Sequence, residues 1–177
     1  YDVNVPSAVS VQLAGGVLSL DTTPFSNSAC PVATQPQSGY WHVEPPPFDF
    51  GQGVVFEAEF HVIASEYGVN PCTGWPRPGF GFTVVDQAGH YYSVGIGSNA
   101  IFLANDPYQP FNSPAVVQTA FNATSGFHVY RPEVSAVGPA LLVDGATILS
   151  ISTGSPSQAS TVWIGDGTNW ANSDVAI

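Results

Sequence analysis

The sequence is short of positive charge. It contains no lysine and two arginines against 13 acidic residues, which gives a formal net charge of −11. Binding to a phosphate backbone or to an anionic bilayer depends on basic side chains, so either surface would repel this chain. We therefore expect neither nucleic acid nor an acidic membrane surface among its partners.

Good cleavage sites for trypsin-like proteases are also missing, because both arginines precede proline, at Arg77-Pro78 and Arg131-Pro132. These proteases cleave poorly when proline follows the basic residue. Resistance of this kind suits a protein that meets extracellular proteases. We expect a secreted or extracellular location.

Long apolar runs and charged residues are scarce as well. No run approaches the roughly 20 apolar residues of a transmembrane helix, so we expect no membrane insertion. Charged residues make up 8% of the chain, against about 25% in an average soluble domain. Neutral polar side chains repel neighbouring molecules weakly, which favours self-association.

The sequence contains two cysteines, Cys30 and Cys72, both in proline-rich stretches. In a secreted chain such a pair favours a disulfide, and two unpaired thiols are the alternative. The length fits one domain with a substantial core, and no internal repeat or linker divides it. We expect a single domain over residues 1–177.

The dominant hydrophobic period is two, which predicts an all-β fold. Gly15-Gly16 and Asp144-Gly145 each separate two short strands, and Asp-Gly suits a type I′ turn. Residues 80–103 indicate a meander of three strands. Within residues 53–63, Phe56, Ala58, Phe60 and Val62 alternate with Glu57, Glu59 and His61, so one face of this strand belongs to the core.

Six short segments occur in an order that resembles the concanavalin A-like lectin and glucanase superfamily, of the laminin G-like type. They are Gly16–Asp21, Val55–Phe60, Gly79–Leu103, His128–Arg131, Val143–Gly145 and Ile164–Gly167. The resemblance implies a two-sheet antiparallel jelly-roll sandwich. Members of that superfamily include lectins, glycan hydrolases, lyases, adhesion modules and structural domains, so function depends on the site residues.

Glu57, Glu59 and His61 form the strongest candidate for catalysis. Carboxylates two apart on a strand project from one face about 6–7 Å apart, and glycosidases need such a pair. The glucanases that the chain resembles carry three acids at alternate positions of one strand, whereas the third position here is His61. We therefore interpret the run as a solvated strand face with a Glu–Arg131 pair, and catalysis as the weaker alternative.

A metal site is the next candidate. Asp166, Asn169 and Asp174 offer the oxygen donors that calcium prefers, and calcium is common among lectins of the resembled fold. The spacing does not match an EF-hand, and Asp and Asn are frequent in loops because they tolerate turn dihedrals. The turn is the favoured interpretation and calcium the alternative, so no cofactor is assigned.

Sugar binding without catalysis requires exposed aromatic rings for the apolar face of a pyranose and polar groups for its hydroxyls. Three loop segments provide both. Their candidate residues are Trp75 and Arg77, then Asn105, Asp106 and Tyr108, and finally Trp41 and Trp170. Trp163 lies in an apolar strand, so we expect it to be a packing residue that covers a sheet edge or corner.

We interpret the chain as a secreted, non-catalytic carbohydrate-binding or adhesion domain that recognises a neutral glycan or an extracellular protein. A structural subunit of an extracellular layer or filament is the first alternative, favoured by the low charge. A glycan hydrolase or lyase of the same fold is the second, disfavoured by the incomplete set of acids.

Overall fold

Strands dominate the described part of the chain. The structure, a computed structural model, describes residues 2–4, 10–21, 23, 39–42, 49, 52–65, 67–69, 76–88, 91–106, 116–152, 159–165 and 173–177. The strands are β1 (Asp2–Asn4), β2 (Ser10–Ala14), β3 (Val17–Asp21), β4 (Gly39–His42), β5 (Val54–Val55), β6 (Ala58–Ser65), β7 (Tyr67–Val69), β8 (Pro76–Pro78), β9 (Phe80–Asp86), β10 (Tyr91–Ile96), β11 (Ala100–Asp106), β12 (Val116–Ala120), β13 (His128–Ser135), β14 (Gly138–Val143), β15 (Ala146–Ser150), β16 (Ala159–Gly165) and β17 (Ser173–Ala176). A 3₁₀ helix spans Ala123–Ser125.

Two large antiparallel sheets contain most of these strands. The seven-stranded sheet has the order β1-β4-β16-β9-β10-β11-β12. The eight-stranded sheet has the order β15-β14-β13-β6-β17-β3-β2, and β5 also pairs with β13. Strands β7 and β8 form a separate pair. The predicted all-β, two-sheet jelly roll is confirmed.

The core lies between the two large sheets and is rich in aromatic rings. Phe60 of β6 is fully buried and stacks on Tyr130 of β13, with ring centroids 4.1 Å apart and planes inclined by 7°. Across the sandwich its ring meets Phe80 and Phe82 of β9 at 5.0 and 5.2 Å. Each such ring contributes about 1.5–3 kcal/mol by leaving water. These contacts hold the two sheets face to face.

Both predicted tight hairpins are present. Gly15 and Gly16 have φ of 61° and 84° between β2 and β3. Asp144 and Gly145 have φ of 50° and 81° between β14 and β15, so both central positions are left-handed as a type I′ turn requires. The β9–β10–β11 meander is also confirmed.

The alternation predicted for residues 53–63 is confirmed in burial but interrupted in hydrogen bonding. Phe60 and Val62 are buried while Glu57 and Glu59 are exposed. However, β5 ends at Val55 and β6 begins at Ala58. Glu57 therefore precedes the regular strand instead of lying within it.

Some segments predicted as loops are strands. Trp41 lies in β4, Arg77 in β8, and Asn105 and Asp106 at the end of β11. Strand β4 has no alternation of its own, and its existence depends on pairing with β1 and β16 on either side. A pattern within four residues does not reveal such a strand.

The backbone register relates Trp163 of β16 to a residue on the outer face of the seven-stranded sheet. Its neighbour Ile164 packs against the core, and Trp163 itself is the register partner of Thr83. Thr83 alternates with the core residues Phe82 and Val84, so its row belongs to the outer face of the sheet. An apolar strand gives no alternation from which to assign faces, so the packing role expected for Trp163 stays a prediction.

Gly81 of β9 tests how closely β9 and β10 approach each other. A Cβ at position 81 would collide with the carbonyl oxygen of Val94. We expect Gly81→Ala to lower the free energy of unfolding by about 1–3 kcal/mol, as overpacked sites do. The measurement is urea unfolding of the variant beside the parent.

Gly97→Ala is the matched control, because a Cβ there would lie 3.5 Å from the carbonyl oxygen of Ala100, an ordinary contact. It should change stability by less than about 0.5 kcal/mol. Equal stability of the two variants would contradict the close approach at Gly81.

Candidate functional site

One row of residues crosses the outer face of the seven-stranded sheet, and we call it the central row. Consecutive register pairs define it as Asp2, Trp41, Trp163, Thr83, Ser93, Ala104 and Val116. Directly opposed residues of antiparallel strands belong to one face, so the row is continuous. Two tryptophans are thereby register partners of each other, next to two hydroxyl residues.

Thr83 and Ser93 form a buried hydroxyl pair in this row. Their Oγ1 and Oγ atoms lie 3.0 Å apart, and the residues are 2% and 0% exposed. Small side chains that point away from the core are occluded only where larger groups rise above them. The hydroxyl pair at the centre of this face is therefore covered by other groups instead of openly solvated.

Apolar groups lie beside the hydroxyl pair. Phe102 and Ala104 of β11 are buried and form, with Ala100, a cluster that is separate from the core. Phe102 is also the register partner of Gly95, which is opposite Gly81. The face thus combines a ring, small residues and hydroxyl groups within neighbouring strands.

Among the described residues of β9 and β10, no carboxylate occupies an outer-face position. The outer-face positions of β9 and β10, both described throughout, are Gly81, Thr83, Val85, Tyr91, Ser93 and Gly95. Asp106 lies at the end of β11 as the partner of Tyr91, and Asn105 as the partner of Tyr92. These two predicted ligand residues therefore belong to the same sheet as Trp41.

The other predicted sugar-binding residues are not brought into this row. Arg77 pairs with Gly68 in the separate two-stranded sheet. Trp75, Tyr108 and Trp170 lie outside the described residues, so their assignment stays a prediction. Cys30 and Cys72 also lie outside them, and the disulfide likewise stays a prediction.

The calcium candidates are only partly described. Asp166 and Asn169 lie outside the described residues, and Asp174 is in β17 as the register partner of Asp21. Within the described ranges, no group of three or more His, Cys, Asp and Glu residues is arranged to hold a metal ion. Among the same residues, no helix is long and apolar enough to span a membrane.

The acidic run belongs to the other large sheet. Glu57 Oε2 lies 3.6 Å from Arg131 Nη1, and Arg131 Nε donates to Glu133 Oε1 at 2.8 Å. The expected Glu–Arg131 pair is confirmed. Glu59 is exposed on β6, and His61 Nε2 lies 3.4 Å from the Thr124 carbonyl oxygen. None of the three faces the central row.

A second polar cluster was missed by the sequence analysis. His128 Nδ1 lies 2.7 Å from Asp144 Oδ2, and its Nε2 lies 2.8 Å from Ser125 Oγ. Asp144 Oδ1 also accepts the Val129 N–H at 2.9 Å. The β14–β15 turn brings Asp144 to the start of β13, and no local motif signals that meeting.

Hydrogen bonds and burial set the electrostatics of this cluster. The bond from His128, followed by the bond from the Val129 N–H, lowers the pKa of Asp144 below its ordinary value. Beneath it, burial and the charge of Asp144 raise the pKa of Tyr130. The Tyr130 hydroxyl is buried and has no hydrogen-bond partner in the described structure, so it stays neutral.

Solved structures with a similar fold include two glucanases and a carbohydrate recognition domain. They include a Bacillus licheniformis β-glucanase, with a TM-score of 0.55, 11% identity and coverage of 94% of this chain and 78% of that one. The catalytic domain of an endo-1,3-β-glucanase (laminarinase) from Thermotoga petrophila has a TM-score of 0.57 and 8% identity, with coverage of 97% of this chain and 78% of that one. The potassium-bound carbohydrate recognition domain of Emp46p has a TM-score of 0.54 and 13% identity, with coverage of 96% of this chain and 83% of that one.

At these identities the likeness establishes the fold alone. It confirms the two-sheet jelly-roll fold that the order of sequence segments implied. No protein-family model and no curated protein matches the chain.

The Asp144 contacts predict a pH dependence of stability. Because folding lowers the pKa of Asp144, its stabilising effect is fully present above its ordinary value of 3.8 and disappears as pH falls through the lowered value. The melting temperature of Asp144→Asn should therefore lie below that of the parent at neutral pH. The difference between the two melting temperatures should become smaller in acid. Asn tolerates the positive φ of this turn, so backbone strain is not introduced.

Thermal melts of both proteins across an acid titration measure that gap. Glu59→Gln is the control, because Glu59 is an exposed carboxylate outside the cluster. A gap for Asp144→Asn that stays constant down to the lowest pH would contradict the electrostatic account.

Proposed function

We propose that the protein is a non-catalytic carbohydrate-binding domain that binds a neutral glycan on the outer face of its seven-stranded sheet. The central row carries this proposal. It aligns Trp41 and Trp163 as register partners beside the Thr83–Ser93 hydroxyl pair. Aromatic and hydroxyl groups in one row are what a pyranose requires.

The chemistry of this face matches the two sides of a sugar ring. An indole offers apolar area and a negative π face to sugar C–H groups, and convergent polar groups satisfy the hydroxyls. A net charge of −11 would repel a uronic acid or a sulfated sugar. A neutral glycan is therefore the ligand class that we propose.

Glycan hydrolysis is not part of the proposal. Glycosidases of the usual kind need two carboxyl groups on either side of the scissile bond. The outer-face positions of β9 and β10 provide none, and Glu57 is held by Arg131 on the other sheet. The glucanase neighbours support glycan recognition by the fold, and the carbohydrate recognition domain among them supports binding without cleavage.

Residues outside the central row extend the proposed site. We propose that Trp75, Tyr108 and Trp170 add stacking surfaces, and that Arg77 and Asp106 add hydrogen bonds. Asn105 is the register partner of the core residue Tyr92, so it is not included in the outer-face site. Secretion is part of the same proposal, supported by the two Arg-Pro sequences and the cysteine pair.

Substitution of Trp163 tests the proposed face. Loss of one stacking ring should weaken glycan affinity by roughly tenfold, since about 1.4 kcal/mol corresponds to one decade. A glycan array identifies the ligand, and calorimetric titration then compares the parent with Trp163→Ala and Trp75→Ala. Thermal melts of the same proteins separate lost binding from lost folding, because replacing a core tryptophan by alanine would lower the free energy of unfolding by about 3–5 kcal/mol.

Phe127→Ala is the matched aromatic control, because Phe127 is 50% exposed and contacts His61 of the eight-stranded sheet. Its glycan affinity should equal that of the parent. Failure of the parent to bind any neutral glycan would exclude the proposal. Release of reducing sugar that is abolished by Glu57→Gln would replace it with hydrolysis.

An uncharged sheet edge favours the structural subunit as a second candidate. Strand β12 ends the seven-stranded sheet and reads Val-Val-Gln-Thr-Ala, with Val117 37% exposed. Natural edge strands usually carry charge or proline, which blocks pairing with another chain. An edge without either is open to strand addition by a second copy.

Val117→Lys tests this candidate by placing a charge on the edge. If strand addition assembles the protein, the parent should form oligomers near its pI of about 4.2 and the variant should stay monomeric. Val137→Lys is the control, because Val137 is 76% exposed in the β13–β14 turn and not on the edge. A parent that stays monomeric by light scattering at every pH would exclude assembly.

A further inference from the structure

Ser125, His128 and Asp144 are joined by consecutive hydrogen bonds where β13 begins. The Ser125 Oγ to His128 Nε2 distance is 2.8 Å, and the His128 Nδ1 to Asp144 Oδ2 distance is 2.7 Å. We propose that this trio is a nucleophilic site that hydrolyses carboxylic esters of short, uncharged acyl groups. The site is distinct from the central row and adds an activity to the proposed glycan binding.

The roles follow from the order of the contacts. A serine is a weak nucleophile until an adjacent base accepts its proton, and a third group must orient that base. Asp144 Oδ2 accepts a hydrogen bond from the His128 Nδ1–H, which leaves Nε2 with its lone pair towards Ser125. The Val129 N–H fixes the other carboxylate oxygen at 2.9 Å. Asp144 is thus a positioning residue.

The serine hydroxyl has two possible acceptors, and the protonation state of His128 determines to which of them it donates. Ser125 Oγ lies 2.8 Å from the Asn122 carbonyl oxygen as well as from His128. When His128 is protonated, Nε2 donates and the hydroxyl donates to Asn122. When His128 is neutral, Nε2 is the acceptor and the hydroxyl turns towards it. The nucleophile is activated only in the neutral state.

Access and a place for the developing oxyanion are both present. Ser125 is exposed, and the next residue, Gly126, has φ of 148° with nothing within 4 Å of a Cβ position. The Gly126 N–H directly follows the nucleophile, at the end of the 3₁₀ helix. An amide that directly follows the nucleophile commonly stabilises the tetrahedral oxyanion.

The surrounding side chains define the acyl class. The Phe121 ring meets His128 edge to face with centroids 5.0 Å apart, and Phe127 is half exposed on the other side of Ser125 in the chain. These rings offer apolar surface beside the trio. A short uncharged acyl group fits such a surface better than a long chain or a charged one.

The reaction balances without a cofactor. Ser125 Oγ attacks the ester carbonyl carbon as its proton passes to His128 Nε2. The bond to the alcohol oxygen breaks, and the alcohol leaves with that proton. Water then gives a proton to Nε2 and attacks the acyl-serine, which releases the carboxylic acid and restores the Ser125 hydroxyl.

Covalent labelling of the intact protein tests the nucleophile directly. A fluorophosphonate probe should modify Ser125, and mass spectrometry should locate it on a peptic peptide, because trypsin has no good site in this chain. Hydrolysis of p-nitrophenyl acetate is the activity readout. Ser125→Ala and His128→Gln should each lower kcat/KM by about 100-fold, the usual contribution of an assisted proton transfer.

Two further variants separate catalysis from folding. Ser150→Ala removes an exposed serine of β15 outside the trio and should retain the parental rate. Asp144→Asn should lower kcat more than it changes KM, because Asp144 orients His128 and does not touch the substrate. All variants are compared only after their melts show a folded protein.

Retention of the parental rate by Ser125→Ala would overturn the proposal, because a lone imidazole then accounts for the hydrolysis. Failure of the probe to modify Ser125 in the parent would overturn it as well. The parent labelling needs no variant, so an unfolded His128→Gln protein leaves that test intact.

Discussion

The fold depends on burying the aromatic group formed by Phe60, Tyr130, Phe80 and Phe82 between two sheets. Phe60 and Tyr130 stack within one sheet at 4.1 Å, and Phe60 also meets both phenylalanines of the facing sheet. Successive side chains of a strand point to opposite faces of the sheet, so the chain neighbours of each core residue lie on the outer face. Burial of these rings therefore determines which residues remain for binding and chemistry.

The two outer faces that result differ in character. On the seven-stranded sheet, strands that are distant in the chain align Trp41, Trp163, Thr83 and Ser93, with no carboxylate at the described outer-face positions of β9 and β10. The eight-stranded sheet carries the Glu57–Arg131–Glu133 ion pairs, and the Ser125–His128–Asp144 trio lies where its strand β13 begins. The proposed glycan site and the proposed esterase site are separate for this reason.

Local patterns predicted the fold well and the site poorly. Alternation around Phe60 and the Asp144-Gly145 turn are properties of adjacent residues, so the sequence was sufficient for the core strand and the hairpin. The partnership of Trp41 with Trp163 spans more than a hundred residues and depends on register, which no local pattern reveals. The trio was missed for the same reason, because only the folded hairpin brings Asp144 to His128.

The central claim is that the outer face of the seven-stranded sheet is the ligand face. Hydrogen–deuterium exchange with pepsin digestion, in the presence and absence of a bound neutral glycan, measures this most directly. We predict slower exchange in peptides from β9, β10 and β16, which contain Thr83, Ser93 and Trp163. Protection confined to β6 and β13 would place the ligand on the other sheet and contradict the account.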